Sequence, residues 1–175
     1  QQIDKKTKDH VDVASSLFEH ESELHKKIAI HSKIDRFLSE FDIDEVLERK
    51  DKILSLRDEM KVLDRDLKQI EKKVSTLDDP GFLKGCKCLN EAEEAQREKP
   101  FKLDALKGTE QEVQGLNPEE VDEHIEKYSK LNERKSVLSE RILKLNLFIE
   151  KDKNNIENLK RELQDLHDQK EEYQE

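Results

Sequence analysis

Apolar residues recur along the last third of this chain at alternating intervals of three and four. The line runs through Val121, His124, Tyr128, Leu131, Lys135, Leu138, Ile142, Leu145, Ile149, Asp152, Ile156, Leu159, Leu163, Leu166, Lys170 and Tyr173, and nearly everything between is charged or amide. A stripe this narrow and this long predicts a coiled-coil seam on a single helix over residues 117–175. Its start is marked too. Asn117 suits the N-cap, Pro118 the first helical position and Glu120 the capping box, with Leu116 and Val121 as the hydrophobic staple.

The same spacing appears earlier. Ile53, Leu56, Met60, Leu63, Leu67, Ile70, Val74 and Leu77 give eight consecutive apolar seam positions, predicting a helix over about 43–77. Asp42 and Glu45 form its capping box and Phe41 and Val46 its staple, so residues 41–42 mark a stop and restart. Asp78-Asp79-Pro80-Gly81 ends it, because Pro80 cannot continue a helix. Residues 1–41 read as a first helix whose stripe drifts in phase: Ile3, Val11, Ala14, Leu17, Leu24, Ile28, Ile34, Leu38 and Phe41. His10, His20, His25 and His31 decorate it.

Residues 78–116 break the pattern. All four glycines and two of the three prolines lie there. Capping pairs at Asn90/Glu93 and Thr109/Glu112, with breaks at Pro100, Gly108 and Gly115, predict two or three short helices. Phe82, Leu83, Leu89, Phe101, Leu103 and Leu106 are available for a miniature core and for contact with a partner.

The expected architecture is therefore all-α: an elongated antiparallel coiled-coil hairpin. Residues 1–41 and 42–77 form its interrupted ascending arm, 78–116 a small helical cap at the tip, and 117–175 the descending arm. Folding back at the cap sets 77 against 118 and Asp42 against about residue 153, beside the seam's one acid, Asp152. Phe41, Asp42 and Asp152 are thus the candidate joint. A spectrin-like three-helix bundle is the rival, but it leaves the last helix some twenty residues too long.

Composition narrows the function. Charged residues make up 43% of the chain and apolar ones only 33%, enough for stripes but not for a thick core. The net charge of −10 comes from interspersed signs. No basic cluster with interleaved aromatics suggests a nucleic-acid groove, and no polybasic patch or long apolar run suggests a membrane. The only methionine is Met60, so a fragment of a longer protein is expected, and Cys86 and Cys88, too close in sequence to bridge each other without strain, suggest a reducing, intracellular compartment. Carboxylates abound, but a rod offers no cleft to perturb one of them, so no enzyme and no cofactor are expected.

Cys86-Lys87-Cys88 is the remaining chemistry. A coiled-coil hairpin with cysteines at its apex resembles the zinc hook of the DNA-repair ATPases related to the structural-maintenance-of-chromosomes proteins. There, two apical Cys-X-X-Cys motifs from two chains share one zinc. The resemblance implies a metal-bridged dimer and motor heads elsewhere in the parent chain. Here a single residue separates the cysteines, a poorer bite, and no histidine lies within 78–116, so free thiols or small packed side chains are the preferred reading. The function expected is structural: a spacer, oligomerising or partner-docking segment of a larger assembly, binding proteins or a second copy of itself. A tip-bearing arm of such an ATPase is the alternative.

Overall fold

The computed structural model describes residues 1–78 and 87–173, and every regular element among them is helical. The order is α1 (Gln2–Glu40), α2 (Ile43–Val74), a short 3-10 turn (Ser75–Asp78), α3 (Lys87–Gly115) and α4 (Pro118–Glu172). Packing divides the chain into two units. One combines Gln1–Phe41 with Ser129–Glu175, and the other is Asp42–Tyr128.

In the second unit, α2 buries Val46, the expected staple residue, and Ile53, Leu56, Leu63, Leu67 and Ile70 on the expected seam, with Met60 and Val74, and Leu77 in the following turn, half-buried. Burying each such Leu or Ile contributes roughly 1.5–3 kcal/mol. The helix starts as its sequence dictates: the Asp42 carboxylate accepts the Glu45 backbone N–H at 3.1 Å. Phe41 is extended (φ −88°, ψ 117°) and closes α1 through its own N–H to the Phe37 carbonyl.

α3 differs from expectation. In place of short helices it is one helix of 29 residues, running straight through Pro100 and Gly108. Pro100 is tolerated because it lies on the exposed side. Gln96, whose carbonyl would have received its N–H, is likewise an exposed residue. Thr109 does not cap a new helix; its hydroxyl donates back to the Ala105 carbonyl at 2.9 Å while its side chain is buried. The non-exposed positions of α3 are Leu89, Ala92, Ala95, Lys99, Lys102, Leu106, Thr109 and Val113, followed by Leu116. This is a line at intervals of three and four in which small and polar residues stand between Leu89, Leu106, Val113 and Leu116. Phe101 and Leu103, expected in a miniature core, point outward at 74% and 46% exposure.

α3 therefore runs back along α2. Lys52 pairs with Glu112, Asp66 with Lys102 and Glu71 with Lys99, so each step up one helix is a step down the other. The reversal falls between α2 and α3, not between residues 77 and 118. Leu116 and Asn117 then separate α3 from α4. Asn117 takes φ 50°, a left-handed conformation that asparagine tolerates better than most side chains. Arg49 secures this break from α2: its guanidinium donates to the Leu116 carbonyl at 2.8 Å and lies 3.7 Å from Glu120.

In the first unit, α4 keeps the expected seam, burying Leu138, Leu145 and Ile149 and half-burying Leu131, Ile142, Ile156, Leu159, Leu163 and Leu166. Lys170 and Tyr173 are exposed. Lys6 pairs with Glu162, Glu21 with Lys153, Glu23 with Arg141 and Asp35 with Lys135, again in antiparallel order. α1 presents Ile3, Lys6, His10, Val13, Leu17, His20, Leu24, Lys27, His31, Ile34 and Leu38 as its non-exposed line of threes and fours. The drifting stripe of the sequence is thus two faces. Val11, Phe18 and Ile28 lie off this line and are 59%, 73% and 44% exposed.

Candidate functional site

Among the described residues, the densest convergence of polar side chains inside a seam lies between α1 and α4. Asp152 occupies a seam position with its side chain 13% exposed. Its Oδ2 accepts from Ser16 Oγ at 3.3 Å and from His20 Nδ1 at 2.8 Å. The His20 ring also stacks on Phe148, centroids 5.4 Å apart. Each residue arrives by helical spacing: Ser16 and His20 are one turn apart on α1, and Phe148 and Asp152 one turn apart on α4. Two donors on one oxygen satisfy a carboxylate that would otherwise be costly so near the seam.

Ser, His and Asp together suggest hydrolytic chemistry, but the order of contacts is wrong for it. A nucleophile needs its hydroxyl on the base, and here both Ser16 and His20 address Asp152. The arrangement can clamp two helices in register. It has no relay through which the serine could be activated.

Further contacts extend the clamp. Arg141 donates from Nε and Nη2 to the two oxygens of Glu23 at 2.9 and 2.8 Å, a bidentate fork. Hydrogen bonding from Arg141 holds the Glu23 carboxyl below its ordinary range, and the pairing raises the Arg141 guanidinium. Lys135 likewise lowers Asp35, so this seam lysine reaches out to an acid on the opposite helix. Ser139 spends its hydroxyl proton on the Lys135 carbonyl, so its oxygen accepts and His31 Nε2 is the donor across the 2.9 Å contact between them. His10 is the exception: its Nε2 is buried without a hydrogen-bond partner.

Asp152 is expected from the sequence opposite Asp42; its contacts are instead to Ser16 and His20 of α1. The expected pairing takes residues 78–116 for a cap, whereas α3 packs along α2 as a full helix. Phe41 and Asp42 do sit at the division between the units, where Phe37 and Phe41 stack 5.8 Å apart. Of the residues expected to form a cap, Leu89 and Leu106 are half-buried against the seam. Phe82, Leu83 and Cys86 lie outside the described residues. Cys88 is a free, exposed thiol. Among the described residues, no three His, Cys, Asp or Glu side chains converge as a metal would require, and no helix is long and apolar enough to cross a membrane.

The seam histidines have a signal in the sequence. Positions 3, 10, 17, 24, 31 and 38 repeat every seven residues, and His10 and His31 fall on that line. A purely apolar template skips histidine and so hides them. Comparison with protein families, with curated proteins and with solved structures finds no match to this chain.

Proposed function

We propose that this chain is a structural segment of a larger intracellular assembly: an antiparallel coiled-coil hairpin that spaces and docks other proteins and performs no catalysis. The observation that supports the reading most is the antiparallel order of cross-helix pairs in both units, from Lys6–Glu162 to Asp35–Lys135 in one and from Lys52–Glu112 to Glu71–Lys99 in the other. Ridges of this kind hold two helices side by side over many turns and leave their outer faces to partners. Phe101 and Leu103 on α3 supply one such outer face, and the break at Phe41–Asp42 supplies a joint.

The test is a distance between spin labels at Glu19 and Lys151, both exposed, in a chain with Cys86 and Cys88 replaced by Ser and diluted with unlabelled chain. A hairpin gives roughly 15–30 Å, one interhelical spacing plus label linkers, unchanged on dilution. A signal that disappears on dilution would mean that α1 pairs with α4 of another chain, and a long distance would remove the hairpin.

A further inference from the structure

Charge is sorted along one side of the α1–α4 pair. Glu23 and Arg141, forked together across one edge of the seam, mark that side. Steps of three and four from Glu23 along α1 reach Asp9, Asp12 and Glu19 toward one end and Lys26 and Lys33 toward the other. The same steps along α4 pass through Lys130, Arg134, Arg141, Lys144 and Lys151, and then Glu162 and Asp165. Val137 and Phe148 stand among the α4 cations, 61% and 43% exposed. Because the helices are antiparallel, cations dominate one end of this side and acids the other, overlapping in the middle where Glu19 and Glu23 face the α4 cations. The opposite side of α4 has no such division, since Glu150, Lys153, Glu157 and Lys160 alternate there.

Much of this charge is unanswered within the chain. Arg141 holds Glu23 and Lys6 holds Glu162. Among the described residues, Asp12, Glu19 and Asp165 form no ion pair, and neither do Lys26, Lys33 and Arg134. The pattern is self-complementary under reversal. Turned end for end, the α1 line sets Lys5 against Glu40, Asp12 against Lys33 and Glu19 against Lys26, about a midpoint between Ser22 and Glu23. The α4 line turned in the same way sets Arg134 against Asp165 and brings no like charges together, about a midpoint between Ile149 and Glu150. His20 lies against Asp152, as far before the first midpoint as Asp152 is beyond the second. The two midpoints therefore stand at one height, and a single two-fold axis serves both helices.

We propose that this side of α1 and α4 is the contact between two copies of the chain, related by a two-fold axis across the helices, with α1 on α1 and α4 on α4, each antiparallel. The proposal rests on the docking reading above and names its surface and its partner. Glu23 falls on the axis, where Arg141 has already neutralised it. Residues 5–40 span about 52 Å and two packed helices about 20 Å, so the face offers on the order of 1,000 Å² per copy, the scale of a stable interface. A long polyanion fits less well, because beyond the cations it meets Asp12, Glu162 and Asp165.

Sedimentation equilibrium of the full chain tests it. A monomer–dimer equilibrium is expected, weaker at high salt. Lys33→Glu and Asp12→Lys should each weaken it at least tenfold, and the chain carrying both should regain it, because the swapped pair meets itself across the axis. Both positions are exposed, and circular dichroism checks that each variant folds. Single spin labels then read the direction, with Cys86 and Cys88 replaced by Ser. Labels at Ser22, beside the axis, should lie roughly 15–30 Å apart between copies, and labels at Ser39 roughly 50 Å.

A chain that stays monomeric, a dimer that Lys33→Glu leaves intact, or a short distance at both labels overturns the proposal. A monomer that binds vesicles of anionic lipid overturns it too and gives the cations to a membrane. If the dimer is absent while the Glu19–Lys151 distance stays short, the contact between copies falls and the hairpin stands. A long distance removes both.

Discussion

The α2–α3 and α1–α4 pairs are built on the same spacing and differ in what fills it. From Ile53 on α2 to Leu77 in the following turn every seam position is apolar, and α3 answers with Ala92 and Ala95 at one end, Thr109 and Val113 at the other, and Lys99, Lys102 and Leu106 between. Small residues let a partner's leucines seat deeply. Lys102, itself on the α3 seam, pairs with Asp66 of α2, whose carboxylate raises the ammonium. In the other pair one helix is apolar and its partner is not, and Ser16, His20, Asp152, Arg141 and Glu23 carry contacts that apolar side chains carry on α2. Histidine also divides the two: α2 and α3 contain none, whereas α1 contains four. Apolar packing is tolerant of pH and salt, and charged and polar clamping is not. One pair rests mainly on apolar contact, the other more on polar and charged contact.

The largest effect should come from charging either seam. Leu63 is 8% exposed and Leu145 fully buried, so Leu63→Asp and Leu145→Asp each place a carboxylate on an apolar line. Each should cost about 3–5 kcal/mol, enough to melt the pair that holds it. Thermal melts with hydrogen exchange resolved by helix separate the two. Leu63→Asp should deprotect α2 and α3, and Leu145→Asp α1 and the second half of α4. Loss of protection in all four helices from either change would show that the two pairs are one cooperative body.

Legibility follows the same divide. The α4 line from Val121 to Leu166 can be read residue by residue, as can α2, because mostly apolar residues at intervals of three and four, interrupted on α4 only at His124, Lys135 and Asp152, place them on one stripe of a helix. α3 is the opposite case. Ala92, Ala95, Lys99, Lys102 and Thr109 give no apolar stripe, and Pro100, Gly108 and two capping pairs suggest ends that the structure does not have. Tertiary packing against α2 outweighs these local signals, since a solvent-facing proline and glycine lower helix stability without blocking the seam. Taking α3 for a cap moves the chain reversal and sets Asp152 against Asp42. The clamp on Ser16 and His20 becomes visible only once α3 is an arm.

Pro100→Ala sharpens this point. Because the helix already runs through residue 100, alanine restores one backbone hydrogen bond and removes the ring's clash with the preceding turn. The variant should be more stable by about 2 kcal/mol, read as a higher denaturant midpoint with unchanged slope. A loss of stability would mean that residue 100 is a true break, as its sequence suggests. Gly108→Ala adds a milder version: nothing lies within 4 Å of the new Cβ, so a gain of about 0.5–1 kcal/mol is expected.

Asp152→Asn asks how much of the α1–α4 pair rests on its clamp. An amide oxygen still accepts one donor, but the charge is gone and its NH2 group must find an acceptor in a half-buried place. A loss of about 1–2 kcal/mol confined to protection of α1 and α4 is expected. A gain would make Asp152 a register device held at a cost to stability.

Acid gives the smallest effect and the one most particular to α1 and α4. Arg141 and Lys135 lower the Glu23 and Asp35 carboxyls from ordinary values of 4.5 and 3.8. Such groups favour the paired state fully above those ordinary values. Their contribution is lost as pH falls below them and through the lowered values of the folded chain. The cross-helix group shifted in the α2–α3 pair is Lys102, raised above 10.5, whose contribution is present below that value and lost only as pH rises through the raised one. Hydrogen exchange corrected for intrinsic rates should therefore show α1 loosening relative to α2 between neutral pH and pH 3, and the gap should narrow in Glu23→Gln. Both ion pairs are solvent-exposed, so added salt should reduce the same gap at neutral pH. Parallel loosening of α1 and α2 in acid would mean that the charged contacts decorate the pairing without setting its strength, and the contrast between the two units would then rest on His10 and the polar seam alone.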